Sequence, residues 1–190
     1  MRFVRRRQHS RANGAKLVAV ALGLCLQWGC AAGPGDDGVE PEPTPTPLFD
    51  VTTFAIASAD DDPADDVPDE EACTLGVQEE LDGLEVDTSA CDYFVLQTSL
   101  DVDVDEGDDI NVFAWHQALT SIEPAQGHLA VFIDGALLWE KHVDIPQSAQ
   151  VFDDVVQAPT SAAAGSTATL HLHNHGNNTW QLQRVEKLPQ

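Results

Sequence analysis

The stretch HLAVFIDGALLWEKHV, residues 128 to 143, does most to limit what this chain can fold into. Two apolar runs flank Asp134-Gly135, and an Asp-Gly pair tolerates the positive φ angles that a two-residue hairpin turn demands. The simplest register then sets Phe132 opposite Leu137 and Ala130 opposite Trp139. Similar strand signals recur along the chain. CDYFVLQTSLDVDV (91–104) is apolar and β-branched, and ends by alternating Leu100, Val102 and Val104 with Asp101, Asp103 and Asp105. The turn EGDD (106–109) leads into INVFAWHQA, and IEPAQG (122–127) leads into the hairpin. VFDDVV, TATLHLHN and WQLQRVEK follow, while no stretch carries the sustained 3.6-residue period of an amphipathic helix. These signals predict an all-β domain over 72–190, an antiparallel β-sandwich of jelly-roll type.

The N-terminus is of a different kind. Arg2, Arg5, Arg6, Arg7, Arg11 and Lys16 precede an apolar run from Leu17 to Leu26. That run is about half the length a membrane-spanning helix needs, and it is apolar all round where a core helix would be amphipathic. A basic flank, a short apolar core and small residues beyond it make an export signal over 1–29. Gly29-Cys30 resembles the end of a bacterial lipobox, with Gln27 and Trp28 in the places the family usually gives to Leu and to Ala or Ser. The resemblance implies that Cys30 carries fatty-acyl (palmitate-type) groups and becomes the mature N-terminus. Ala31, where Asp would retain the protein in the inner membrane, implies an outer-membrane address in the cell envelope. Cys25 lies inside the apolar run, and Arg5-Arg6-Arg7 lacks the apolar residues that twin-arginine export expects.

Removal of the signal leaves Lys141, Arg184 and Lys187 against all 32 Asp and Glu. Such an excess of negative charge repels phosphate backbones, which excludes DNA or RNA as a partner. The lipoprotein resemblance also disposes of two of the four cysteines. Cys25 leaves with the signal, Cys30 takes lipid, and Cys73 with Cys91 remains to form a disulfide in an oxidising envelope. A metal site on that pair would lack close CxxC spacing. Residues 30–71 read as a disordered acidic, Pro-rich tether: PEPTPTP (41–47) favours extended backbone, and DDDPADDVPDEE (60–71) repels itself. The acidic block has two readings, a solvated spacer or a loose calcium site. Leu48 to Ala57 is mildly apolar and suits a short docking strand.

Candidate functional residues fall into two groups. In HLHNH, His171, His173 and His175 share one face of a strand while Leu170 and Leu172 share the other. Imidazoles so arranged can ligate Zn²⁺ or Cu²⁺ with further ligands from elsewhere, for which His116, His128 and Glu123 are candidates. The alternative is a polar face without a metal. DVDVDEGDD is not an EF-hand, because Glu106 and Val112 occupy the sixth and twelfth places counted from Asp101. Apart from a divalent ion (Zn or Ca), no cofactor is indicated. No GxSxG elbow or distinctive carboxylate pair is present, so the chain is not expected to be an enzyme.

The second group is aromatic. Phe113 and Trp115 share a strand face, and GNNTWQLQRVEKL (176–188) resembles the last strand of jelly-roll carbohydrate-binding modules. That resemblance implies a saccharide or envelope polymer as ligand but carries over no ligand positions; Trp115, Trp139, Phe132 and Trp180 are candidate contacts because aromatic rings on a sheet face can stack on sugars. The alternative is that these rings fill the core. The combined reading is a lipid-anchored, non-catalytic recognition or structural module. Its competitors are a His-based metal protein or metalloenzyme, and an envelope accessory protein that binds another protein.

Overall fold

A computed structural model describes residues 43–190 except 66, 70 and 82. The signal, Cys30 and the first part of the tether lie outside the described residues. Eleven strands follow in order: β1 (Thr46–Pro47), β2 (Ala55–Ile56), β3 (Val77–Glu80), β4 (Gly83–Asp87), β5 (Tyr93–Ser99), β6 (Asp109–His116), β7 (Ala125–Ile133), β8 (Ala136–Ile145), β9 (Gln150–Gln157), β10 (Thr167–Asn174) and β11 (Thr179–Lys187). They form two sheets with antiparallel pairing throughout. The first runs β3-β4-β11-β6-β9, with β1 also on β11, and the second runs β2-β5-β10-β7-β8. Apart from the hairpins β3–β4 and β7–β8, chain neighbours lie in opposite sheets, giving the predicted jelly-roll-like sandwich.

Period-two alternation aims one face of each strand inward. Leu84, Val86, Ile110, Val112, Leu182 and Val185 of the first sheet meet Phe94, Leu96, Leu129, Val131, Leu170 and Leu172 of the second in one apolar core. The turn at Asp134 (φ 48°) and Gly135 (φ 79°) closes the β7–β8 hairpin as anticipated. Phe132 does face Leu137, but one extra residue at Leu138 then bulges out of β8. Beyond the bulge Ala130 pairs with Glu140, and Trp139 pairs with Val131 on the core side.

Two expectations need correction. The tether does not extend to residue 71. Leu48 and Phe49 are 0% and 2% exposed, and the strand pair β1–β11 continues through Leu48 N–H donating to Val185 O at 2.9 Å. Asp50 caps a 3-10 turn at Val51–Thr53, Phe54 meets Phe49 edge-on at 5.3 Å, and β2 adds to β5. The mildly apolar stretch therefore docks, and it belongs to the sandwich. Residues 101–108 also depart from strand geometry. Val104 bridges only to Ala162, while Asp103 and Asp108 accept backbone N–H groups of Ala164 and Asp105. The Cys73–Cys91 disulfide is present, closing a separation of 18 residues at a Cα distance of 6.1 Å. A loop of that size contributes about 3 kcal/mol, chiefly by restricting the unfolded chain.

Candidate functional site

Each sheet has an outward face, and the two differ. On the second sheet, Tyr93, Val95, Ala130 and His171 point away from the core yet are fully buried. Asp62, just beyond the 3-10 turn Ala59–Asp61, reaches this face. It accepts from the Tyr93 hydroxyl at 2.7 Å, lies 2.6 Å from His171 Nδ1, and takes the Ala64 N–H at 3.0 Å. Burial works to raise the Asp62 pKa, but the hydrogen bonds from His171, Ala64 and Tyr93 outweigh it and hold the group below its usual value. The acidic block is thus a strap tied to the sheet, at least from Asp62 to Ala64.

Strand register arranges the histidines. His173, His128 and His142 lie directly opposite one another across β10, β7 and β8. The rings of His128 and His142 stack at 4.0 Å, and His171 is 4.8 Å from His128. Glu140 Oε2 stands 3.1 Å from His128 Nε2 and 3.4 Å from His142 Nε2. His175 has left the strand, sitting exposed with Nδ1 3.7 Å from Asp92 and its ring 4.3 Å from that of His173. His116 does not join the group. It ends the inward row of β6 in the other sheet, against Trp180 at 4.7 Å, with Nδ1 2.7 Å from Gln117 O. Burial pushes its pKa down, opposed by the Gln117 carbonyl. Glu123 sits exposed in the β6–β7 loop, away from β10 in sequence and outside the strand register.

The outward face of the first sheet carries a different chemistry. One cross-strand row reads Gln78, Glu85, Gln181, Trp115, Val151, on β3, β4, β11, β6 and β9 in turn. Gln78 and Gln181 donate to the two oxygens of Glu85 at 2.7 and 2.8 Å, and Gln183 donates to Gln181 Oε1 at 2.7 Å. Burial works to raise the Glu85 pKa, but hydrogen bonds with Glu80, Gln181 and Gln78 outweigh it, so the net shift is downward. Glu80 is shifted up through its hydrogen bond to Glu85 and the repulsion between them. The adjoining row sets Arg184 opposite Phe113 and Phe113 opposite Asp153. The guanidinium lies 4.2 Å from the Phe113 ring centre, and Asn111 donates to Asp153 at 2.8 Å. Val151 and Val155 are 61% and 57% exposed beside these rings.

Of the four aromatic candidates, only Trp115 is on this face, half-buried beside Phe113. Trp180 is 1% exposed and belongs to the core. The Leu138 bulge turns Trp139 inward, where its Nε1–H donates to Asp154 at 2.8 Å. Phe132 is outward on the second sheet but 5% exposed. Sequence reasoning passed over His142, Glu140 and the Gln78–Glu85–Gln181 row. A Glu-x-His alternation in β8 was the available signal for the first two; the row depends on pairing among strands distant in sequence.

No family profile matches the sequence, and no curated protein does. Among solved structures, three similar ones are carbohydrate-binding modules. One is a CBM4 structure (TM-score 0.38, 10% identity, 59% of this chain and 75% of that one). The second is CBM28, described as specific for non-crystalline cellulose (0.41, 7%, 60% and 80%). The third is TmCBM27, described as recognising mannan (0.36, 6%, 60% and 79%).

Proposed function

We propose that this chain is a lipid-anchored recognition module of the bacterial cell envelope, which binds a saccharide or envelope polymer through the outward face of the first sheet and catalyses nothing. The observation that carries the reading is the row Gln78, Glu85, Gln181, Trp115, where planar hydrogen-bonding groups adjoin an aromatic platform. Sugars present both requirements at once: C–H faces that rest on an aromatic ring, and paired hydroxyls that fit an amide or carboxylate edge. Glu85 and Gln181 are only 6% and 2% exposed, so they brace the row from beneath, while exposed Gln78 and half-buried Trp115 present its hydrogen-bonding and aromatic surface. Those hydrogen bonds also hold the side chains in place, so little rotamer freedom is lost on binding. Arg184 stacked on Phe113 and Asn111 held by Asp153 extend the surface.

Binding to a polysaccharide panel tests this. The intact protein is expected to retain at least one neutral polysaccharide, and Trp115→Ala to weaken that binding by about tenfold or more, the equivalent of roughly 1.4 kcal/mol. Leu137→Ala, on the outward face of the other sheet, should leave it unchanged. A panel without any binding, or equal binding by Trp115→Ala, rejects the proposal.

Anchoring rests on the basic n-region, the Leu17–Leu26 run and Gly29-Cys30. Several acyl chains on one cysteine suffice for stable membrane attachment. Cys30→Ser is therefore expected to move the protein from the membrane pellet to the soluble fraction on cell fractionation; a variant that stays in the pellet contradicts the anchor.

A further inference from the structure

We infer that His128, His142 and Glu140 form a binding site for a divalent first-row transition cation, Zn²⁺ foremost, on the outward face of the second sheet. The site is separate from the surface proposed for saccharide and does not depend on it. Each of the three residues offers one ligand atom, and these atoms all lie within 4.8 Å of one another. The finer geometry is closer to a coordination shell. Ligands at 2.0–2.1 Å around a tetrahedral ion stand about 3.3 Å apart. The carboxylate oxygen of Glu140 is 3.1 Å from one imidazole nitrogen and 3.4 Å from the other. The two rings lie nearly parallel, 13° apart in plane, so they must tilt toward one another before both nitrogens face one ion.

The fold explains why these three residues meet. His128 and His142 are direct partners across β7 and β8, and Glu140 is two residues back on the same face of β8. The register that makes them partners exists only because Leu138 is looped out. Backbone pairing on both sides holds the imidazoles in place, so the donor set is built on strands rather than on loops. Two imidazoles and one carboxylate suit Zn²⁺ or Cu²⁺ and are a poor set for Ca²⁺, which wants six or more oxygens. The fourth position faces a groove walled by Pro63, Ala64 and Asp65 of the strap, so a water or a small ligand can reach the ion. His128 is nearly buried and His142 and Glu140 are about half-exposed, which gives the ion one sheltered side and one entry side.

The chain is so acidic that loosely condensed cations must be separated from a true site. The full chain, purified without a histidine tag, is titrated with ZnCl₂ by calorimetry in a large excess of Ca²⁺, which saturates oxygen-only sites. The expected result is one equivalent of Zn²⁺ bound. Affinity should fall by at least about tenfold in His142→Ala and in Glu140→Gln, changes at half-exposed positions that the core does not need. His175→Ala, outside the site, should bind as the unaltered protein does. Zn²⁺ binding well below one equivalent overturns the inference, and so does binding that survives unchanged in His142→Ala and Glu140→Gln. Polysaccharide retention measured on the same variants is expected to be normal, which keeps failure of this site distinct from failure of the other.

Discussion

Trp180→Ala is expected to cost about 3–5 kcal/mol of folding stability, the largest effect of any single substitution considered for this protein. Trp180 is 1% exposed and sits where β11 crosses the middle of the first sheet, between β4 and β6. Its ring packs on His116 at 4.7 Å. On the opposite sheet it lies over Gly127, where an added Cβ would come within 2.9 Å of Trp180 Cζ2. Gly127 is therefore the space into which the indole fits, and alanine at position 180 would leave that space empty. Urea unfolding should show a lower midpoint with an unchanged m-value. A midpoint equal to that of the unaltered protein would mean that Trp180 does not link the two sheets.

The second large effect belongs to Asp62. Its side chain is fully buried, and one carboxylate oxygen receives both Tyr93 and His171. Taking one partner out of such a buried group costs about 3–5 kcal/mol, so Asp62→Ala should approach the Trp180 variant in severity at neutral pH. The pH dependence has a definite sign. The folded pKa of Asp62 is lowered, so its contribution is fully present above the unfolded value of about 3.9 and is lost as pH falls through the lower folded value. Guanidinium unfolding of the unaltered protein and Asp62→Asn should show their widest gap near neutrality and converge in strong acid. A gap that is constant with pH would show that the strap is held by packing rather than by this carboxylate.

How much of this was readable in the sequence depended on how local the physics was. The hairpin at Asp134-Gly135 is a property of two residues and their flanks, and it was legible. So was the partition of Leu170 and Leu172 from His171 and His173, because strand alternation needs no knowledge of neighbours. The domain boundary was not legible. Thr46 to Ala64 reads as Pro-rich and acidic, yet Leu48 joins Val185 and Asp101 through its backbone, and Asp62 meets residues 31 and 109 positions away. Composition cannot report contacts of that separation.

The candidate cation site was not legible in the sequence for a more specific reason. Counting outward from the Asp-Gly turn places His128 opposite Lys141. One bulged residue moves the partner to His142, and at the same stroke sends Trp139 into the core. A single unpaired residue thus converts a proposed aromatic contact into core and an unremarked histidine into a candidate ligand. His116 shows the converse: a polar residue at the end of an inward row, which its sequence position beside Trp115 could not reveal.

The pairing of β1 with β11 has a consequence for how the molecule can be rebuilt. The chain enters the sandwich at Thr46 and leaves it at Lys187, and these two residues are direct cross-strand partners. A short linker could therefore close the polypeptide into a ring, with new ends cut in the exposed loop around residue 123, and every strand would keep its neighbours. The order of strands in space does not depend on where the chain begins. It follows that a reporter fused after Gln190 emerges beside the entry strand, at the same pole of the sandwich as Thr46.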